Sequence, residues 1–197
     1  MTEHSNQPNI VLLDQIRECY GRVVWTHKTH EKCADILDNK HNQIKLLQII
    51  LSAVTTTGVF VAVFGNSPPI GYISALVSLL LTIINAYVKK YDLGGLSQKH
   101  SDAASTLWNI RESYLSLITD IHSNAIKDDE IRKKRDVLQA SLHDLYKGSP
   151  STNVGKAYEK ASKALKKNEE LTFSDEEIDM FLPTSLRKTI SKKKHTL

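Results

Sequence analysis

From Leu46 to Val88 the chain carries no charged residue, and Gly65-Asn66-Ser67-Pro68-Pro69 interrupts that stretch near its middle. A run this long is too apolar for a soluble core, and it divides too evenly to be a single span. It reads as two membrane-crossing helices joined by a tight turn. Residues 44–64 would rise about 31 Å as a helix and residues 70–88 about 28 Å, against a hydrocarbon core of roughly 30 Å. Only helices and closed barrels satisfy their backbone groups in lipid, and neither run has the strict alternation of a barrel strand. Two helices of a soluble core would rarely both reach bilayer length without one charge.

Flanking cations orient the hairpin. Lys40 and Lys45 precede the first span, Lys89 and Lys90 close the second, and the turn is uncharged. The positive-inside rule then places both termini in the cytoplasm of a cell (inner) membrane protein, with the turn outside. Tyr72 and Tyr87 fall near the two interfaces, where amphipathic rings are favoured. Residues 1–9 are polar, with neither a basic nor an apolar block, so no cleavable signal peptide is expected and the first span should serve as the insertion signal.

The rest of the chain is strongly polar and helical in pattern. Leu13, Ile16, Tyr20, Val23, His27, His30, Ala34, Leu37, His41 and Ile44 alternate at spacings of three and four, an a/d seam that runs into the first span. With neither Gly nor Pro between Gly21 and the span, helix and span can be continuous. After the second span, Asp92-Leu93-Gly94-Gly95 allows a kink or hinge at Gly94 and Gly95. Leu107, Ile110, Tyr114, Leu117 and Ile121 repeat the heptad spacing, so the two arms should pack as an antiparallel pair. Ile131, Leu138, Leu142 and Leu145 mark a third amphipathic helix, ended by Gly148-Ser149-Pro150. A fourth, over residues 154–167, has only Tyr158 and Leu165 as large apolar residues and should dock loosely. Ser174-Asp175-Glu176-Glu177 is a capping box ahead of Ile178, Phe181 and Leu182, and Pro183 breaks that helix.

The expected fold is an all-α membrane protein: a two-helix transmembrane hairpin with long cytoplasmic helical extensions forming an antiparallel bundle. In order, this gives an unordered N-terminus (1–9), a cytoplasmic helix (10–43), transmembrane helix 1 (44–64), an external turn (65–69), transmembrane helix 2 (70–88), a cytoplasmic helical region (89–187) and a basic unordered tail (188–197).

Cysteine and charge placement limit the chemistry. Cys19 and Cys33 lie about 21 Å apart along one helix. A disulfide needs Cα atoms within roughly 7 Å, so the two cannot pair within a chain; free thiols suit a reducing cytoplasmic side. The formal charge is +4, concentrated in Arg132-Lys133-Lys134-Arg135, Lys166-Lys167 and Lys192-Lys193-Lys194. These are solvated faces or contacts with anionic lipid heads; no aromatic interleaving or binding motif accompanies them, and no nucleic-acid partner is expected. His27, His30 and Cys33 come nearest to a metal constellation. Zinc wants four well-placed donors and no partner motif supplies the rest, so polar seam positions that set helix register explain them better. His100-Ser101-Asp102 sets three catalytic residue types side by side, but neighbours on a helix point in different directions. There is no phosphate loop, nucleophile elbow or HExxH. The expectation is a non-enzyme without a metal or cofactor.

The polar residues inside the spans are more informative. Gly71, Ser74, Ser78, Thr82 and Asn85 share a face of the second span. Gln48, Ser52 and Thr55 share one on the first, continuing the line of Lys45 and widened by Thr56, Thr57 and Gly58. Close helix packing with interhelical hydrogen bonds is one explanation. The other is a stripe lining water in an oligomer, since one hairpin cannot enclose a channel. The Gln48 and Asn85 amides, costly if unpaired in lipid, suit the second. The residues alone leave packing and pore lining balanced.

Four segments carry a wider resemblance: Trp25-Thr26-His27-Lys28-Thr29-His30-Glu31-Lys32-Cys33-Ala34-Asp35, Tyr91-Asp92-Leu93-Gly94, Leu107-Trp108-Asn109-Ile110-Arg111-Glu112-Ser113-Tyr114, and Thr172-Phe173-Ser174-Asp175-Glu176-Glu177-Ile178-Asp179. With the hairpin, they resemble the SLATT family over residues 10–187. Its members are two-span effector domains that accompany SMODS nucleotidyltransferases and SLOG sensor domains in prokaryotic conflict systems. The resemblance implies an oligomeric, pore-forming or membrane-disrupting effector of antiphage type, triggered by a nucleotide signal and ending in death or dormancy of the infected cell. It also implies that the nucleotide-signal synthase or sensor is a separately encoded partner. The alternative from another class is a non-conducting scaffold, anchored in the bilayer and docking a soluble partner through its cytoplasmic helices.

Overall fold

The computed structural model describes residues 7–65 and 67–172. The capping box at Ser174, the apolar patch that follows it and the lysine-rich tail lie outside the described residues. All regular structure within them is helical: α1 (Gln7–Phe64), α2 (Pro68–Tyr91), α3 (Leu93–His122), α4 (Asp128–Gly148) and α5 (Ala157–Lys166).

α1 is a single helix of 58 residues, about 87 Å long. It begins at Gln7, inside the segment expected to be unordered, and passes through the predicted span boundary without a break. Its first two thirds pack along α3, and its last third pairs with α2. The a/d seam is the packed face: Ile16, Val23, His27, His30, Ala34 and Leu37 are buried, and Leu13, Tyr20, His41 and Ile44 are partly so. Ser97 Oγ donates to the Ala34 carbonyl (2.9 Å), His30 meets His100 and Gly94 meets His41. As the α1 residue number falls the α3 number rises, so the arms are antiparallel.

The core lies at the end away from the hairpin. Leu12, Ile16 and Val23 of α1 pack with Leu107, Ile110, Tyr114, Leu117 and Ile121 of α3 and with Ile131 of α4. Leu138, Leu142 and Leu145 close the α4 side. Fully burying an aliphatic side chain such as Ile16 or Ile131 contributes about 1.5–3 kcal/mol. Asn124, at φ 53°, makes the left-handed step between α3 and α4 that an asparagine tolerates. Asp128, Asp129 and Glu130 then stand in the first turn of α4, where the helix dipole favours negative charge.

The fourth helix of the polar part corrects an expectation. α5 is shorter than predicted and firmly seated, because its docking face is small rather than large. Ala157, Ala161 and Ala164 are buried and let its backbone approach α1 closely. Tyr158 is exposed at its edge, stacked on Trp25 with ring centroids 5.4 Å apart. Lys166 Nζ lies 5.4 Å from the Trp25 ring on the same side.

α1 and α2 are the two described helices long and apolar enough to cross a membrane. Leu46, Ile49, Phe60 and Val63 of α1, and Ile73, Leu76, Leu79 and Ile83 of α2, are 58–69% exposed. A soluble protein rarely leaves so continuous an apolar surface in water. α2 starts at Pro68, whose fixed φ and missing N–H suit a first helical turn, and runs past the expected boundary through Lys89 and Lys90 to Tyr91.

Candidate functional site

Within the hairpin, the polar residues divide between two surfaces. The α1–α2 seam contains Gln48, Leu51, Thr55, Gly58 and Ala62 facing Gly71, Ser74, Val77, Leu81 and Ile84, all buried or half-buried. Ser74 is 3% exposed and sits against Gly58, where a Cβ would come within 2.0 Å of its hydroxyl. The missing side chain at Gly58 therefore permits the close approach of the two helices at this point. Ser74 Oγ donates to the Ile70 carbonyl (2.9 Å), and Thr55 Oγ1 to that of Leu51 (2.8 Å).

Ser52, Ser78, Thr82 and Asn85 are exposed. Gln48 Nε2 donates to Asn85 Oδ1 at 2.6 Å, which fixes the antiparallel register and sets Asn85 on the Gln48 side of the hairpin. Stepping by helical turns from that pair, Ser52 on α1 and Thr82 and Ser78 on α2 continue the same flank. Thr82 Oγ1 donates back to the Ser78 carbonyl (2.9 Å), so its proton is satisfied while oxygen lone pairs remain open. Each amide of the Gln48–Asn85 pair also keeps capacity beyond its single bond. The stripe that looked like one face in the sequence is thus a packed seam plus an outward polar flank. Lys45 begins this flank on α1 and Lys89 ends it on α2; both are exposed, as is Lys90.

The junction between α2 and α3 is built differently from a glycine hinge. The helix breaks at Asp92 (φ 14°, ψ 63°), whose Oδ1 accepts from the Gly95 N–H at 3.0 Å and caps α3. Gly94 and Gly95 belong to the first turn of α3. A Cβ on Gly94 would lie 3.1 Å from the His41 ring, so the glycine permits close passage of α1. The break is where the sequence places it, but a capping aspartate makes it and the glycines are packed.

A polar cluster lies in the α1–α3 interface. His30 is 2% exposed and His100 fully buried, with their Nδ1 atoms 3.0 Å apart. Two protonated rings would both be donors at this contact, so the pair is held by a neutral ring accepting from its partner. Burial, followed by the charges His100 and His27 would carry, pushes the His30 pKa down to about 4. Burial likewise lowers those of His100 and His27. Cys33 points elsewhere, its Sγ donating to the Thr152 carbonyl at 3.5 Å, and burial raises its thiol to about 11. His27, His30 and Cys33 therefore do not converge, and no group of three metal-ligating side chains stands together among the described residues. His100 is the participant that periodicity missed. Continuing the α3 heptad back from Leu107 reaches Ala104, His100 and Ser97, all buried, but small and polar residues give no hydrophobic signal.

A long helix that pairs with one arm over its polar length and with a second apolar helix beyond defines a two-span helical membrane protein. The chain belongs to the SMODS and SLOG-associating 2TM effector domain family 4, which matches residues 12–177. No curated protein and no solved structure matches it.

Proposed function

We propose that the protein is a membrane effector of a prokaryotic, antiphage-type conflict system, whose copies assemble in the inner membrane and form a pore or disrupt the bilayer when triggered. The observation that carries this reading is the outward polar flank of Ser52, Ser78, Thr82 and Asn85, which continues from the Gln48–Asn85 pair. A hairpin that served only as an anchor would gain nothing from the Ser52, Ser78 and Thr82 hydroxyls on a surface its own packing does not use. In an assembly, that flank meets a neighbouring hairpin or the water between hairpins, and either satisfies its remaining polar capacity. The lysines at both hairpin ends support a topology with both termini cytoplasmic. The trigger is a nucleotide signal or a separately encoded partner acting on the α1–α3 pair. Since α1 crosses from that pair into the bilayer without a break, a shift there moves the first span directly. The protein works by changing its packing and catalyses no reaction.

Dye release from liposomes tests this. Triggered wild-type protein should empty vesicles of a small dye. Replacing Ser78, Thr82 and Asn85 together by Leu should abolish release while leaving membrane insertion intact. Unchanged leakage from the triple variant refutes the role of the flank.

A further inference from the structure

The charged end of the hairpin carries cations without counter-ions. Between Asp38 and Asp92 the chain has no carboxylate, while Lys40, Lys45, Lys89 and Lys90 bracket the spans. Several lysines further from the bilayer are matched. Lys28 Nζ lies 2.7 Å from Glu170 and 2.8 Å from Glu31, Lys32 Nζ 3.4 Å from Glu170, and Lys134 Nζ 3.2 Å from Asp120. Lys45 and Lys89 are exposed and have no ion-pair partner among the described residues. Lys90 is engaged differently, its Nζ 5.5 Å from the centroid of the Tyr91 ring.

The Gln48–Asn85 bond brings two of these lysines together. With Gln48 Nε2 2.6 Å from Asn85 Oδ1, the two residues stand at one level on antiparallel helices. Lys45 lies three residues before Gln48 and Lys89 four after Asn85, so both are one turn further out on the same flank. Those steps rise about 4.5 Å and 6 Å, which leaves the two lysines level to within about 2 Å. Their helices pack roughly 8–10 Å apart, and flexible four-carbon stems let both ammoniums turn to one point between them. The amide bond occupies the Asn85 oxygen and leaves its Nδ2 donors free, a turn below the lysines. The nearest carboxylates along the chain are engaged. Asp92 Oδ1 accepts from the Gly95 N–H at 3.0 Å, and Asp38, about 10 Å beyond Lys45 along α1, accepts from Asn42 at 2.9 Å.

We propose that Lys45 and Lys89, with the Asn85 amide beneath them, form a site for the head group of one anionic phospholipid. A phosphodiester monoanion offers its oxygens to two ammoniums from two helices, and charge-assisted bonds of this kind are the strong ones. Depth selects a lipid over a soluble phosphate as its source. The lysines border the uncharged run that leaves water, so their ammoniums reach the level of the lipid phosphates. Asn85 lies a turn deeper, where the ester carbonyls of a lipid accept its N–H groups. Ile49, four residues on from Lys45 and 66% exposed, gives an acyl chain an apolar wall on the same face. A lipid held there bridges the two spans and reinforces the register that the amide pair sets. The site rests on the hairpin lying in a membrane and not on its conducting.

The test is native mass spectrometry of the full-length protein released from detergent micelles. It is titrated with phosphatidylglycerol or with phosphatidylcholine of identical acyl chains, whose choline cancels the phosphate charge. The first phosphatidylglycerol should bind more tightly than the first phosphatidylcholine. Lys45→Gln with Lys89→Gln, checked for native helicity, should weaken phosphatidylglycerol binding about thirtyfold, the loss expected of two lysines at an anionic lipid surface. Phosphatidylcholine binding should not change. Lys45→Arg with Lys89→Arg keeps the charges and should keep the preference. Lys40 and Lys90 stand about 140° and 100° away around their helices, so Lys40→Gln with Lys90→Gln removes equal charge from other faces and should cost far less. Equal losses in the two glutamine pairs would mean diffuse surface charge and overturn the proposal. Equal affinity for the two lipids would overturn it as well. So would displacement of bound lipid by an equal concentration of glycerol phosphate, which would make the source a soluble phosphate.

Discussion

Acid should loosen the α1–α3 pair in a window set by His30. In the unfolded chain this imidazole titrates near 6.5; in the folded protein burial and the neighbouring histidines hold it at about 4. Between those values the unfolded state binds a proton that the native state refuses, so stability falls as pH falls from 6.5 towards 4 and then levels off. From pH 7 to pH 5 the loss from this one residue comes to about 2 kcal/mol, or roughly twentyfold in the opening equilibrium. His100 and His27 add in the same direction, since their pKa values are lowered too. Glu170 contributes stability above its unfolded value of 4.5 and loses it only as pH falls toward about 2, so it stays out of the window. The assay is amide hydrogen exchange of α1 and α3 in nanodiscs, with intrinsic rates corrected for pH. His30→Gln can still bond to His100 but does not titrate, and its protection should depend less on pH. A wild type that is flat between pH 7 and pH 5 refutes the sealed neutral pair, and an unchanged slope in His30→Gln refutes the part given to His30.

Four further predictions concern packing and capping. Gly58→Val drives a side chain into Ser74 and should weaken the hairpin by about 1–3 kcal/mol, seen as lower thermal stability in lipid. Gly71→Ala, whose Cβ would meet Ala62 at an ordinary 3.4 Å, should be tolerated in the same measurement. Ala161→Leu overfills the α5 docking face and should separate Tyr158 from Trp25, reported by a shift in tryptophan emission; an unchanged spectrum would refute the close seating of α5. Asp92→Ala removes the cap on α3 and should cost about 1 kcal/mol, with exchange quickening first at Leu93–Leu96.

The hairpin, the single seam and the break near Asp92 were legible because each follows from one local rule. An uncharged run must leave water, apolar residues at spacings of three and four must share a face, and an aspartate ahead of a Gly-Gly pair marks a helix boundary, although here the aspartate cap and not the glycines makes the break. The docking of α5 was not legible in the same way. Its contact is made by Ala157, Ala161 and Ala164, and small residues are apolar enough to be buried but too small to announce it. Nor could spacing tell Ser74 from Ser78. They sit one turn apart on the same helix, and only the angle at which α1 crosses decides which is sealed against Gly58 and which is left outside.

By itself, then, the sequence determined that two helices leave water and that two longer arms pair beyond them, because hydropathy and periodicity are properties of each helix alone. The tertiary structure decided which polar groups become partners: Gln48 with Asn85, His30 with His100, Lys28 with Glu170. Those pairs join residues 37, 70 and 142 positions apart in the chain, and nothing in the local pattern of either member specifies the other. Helix crossing and register choose them, and with them the surfaces left free for an outside partner.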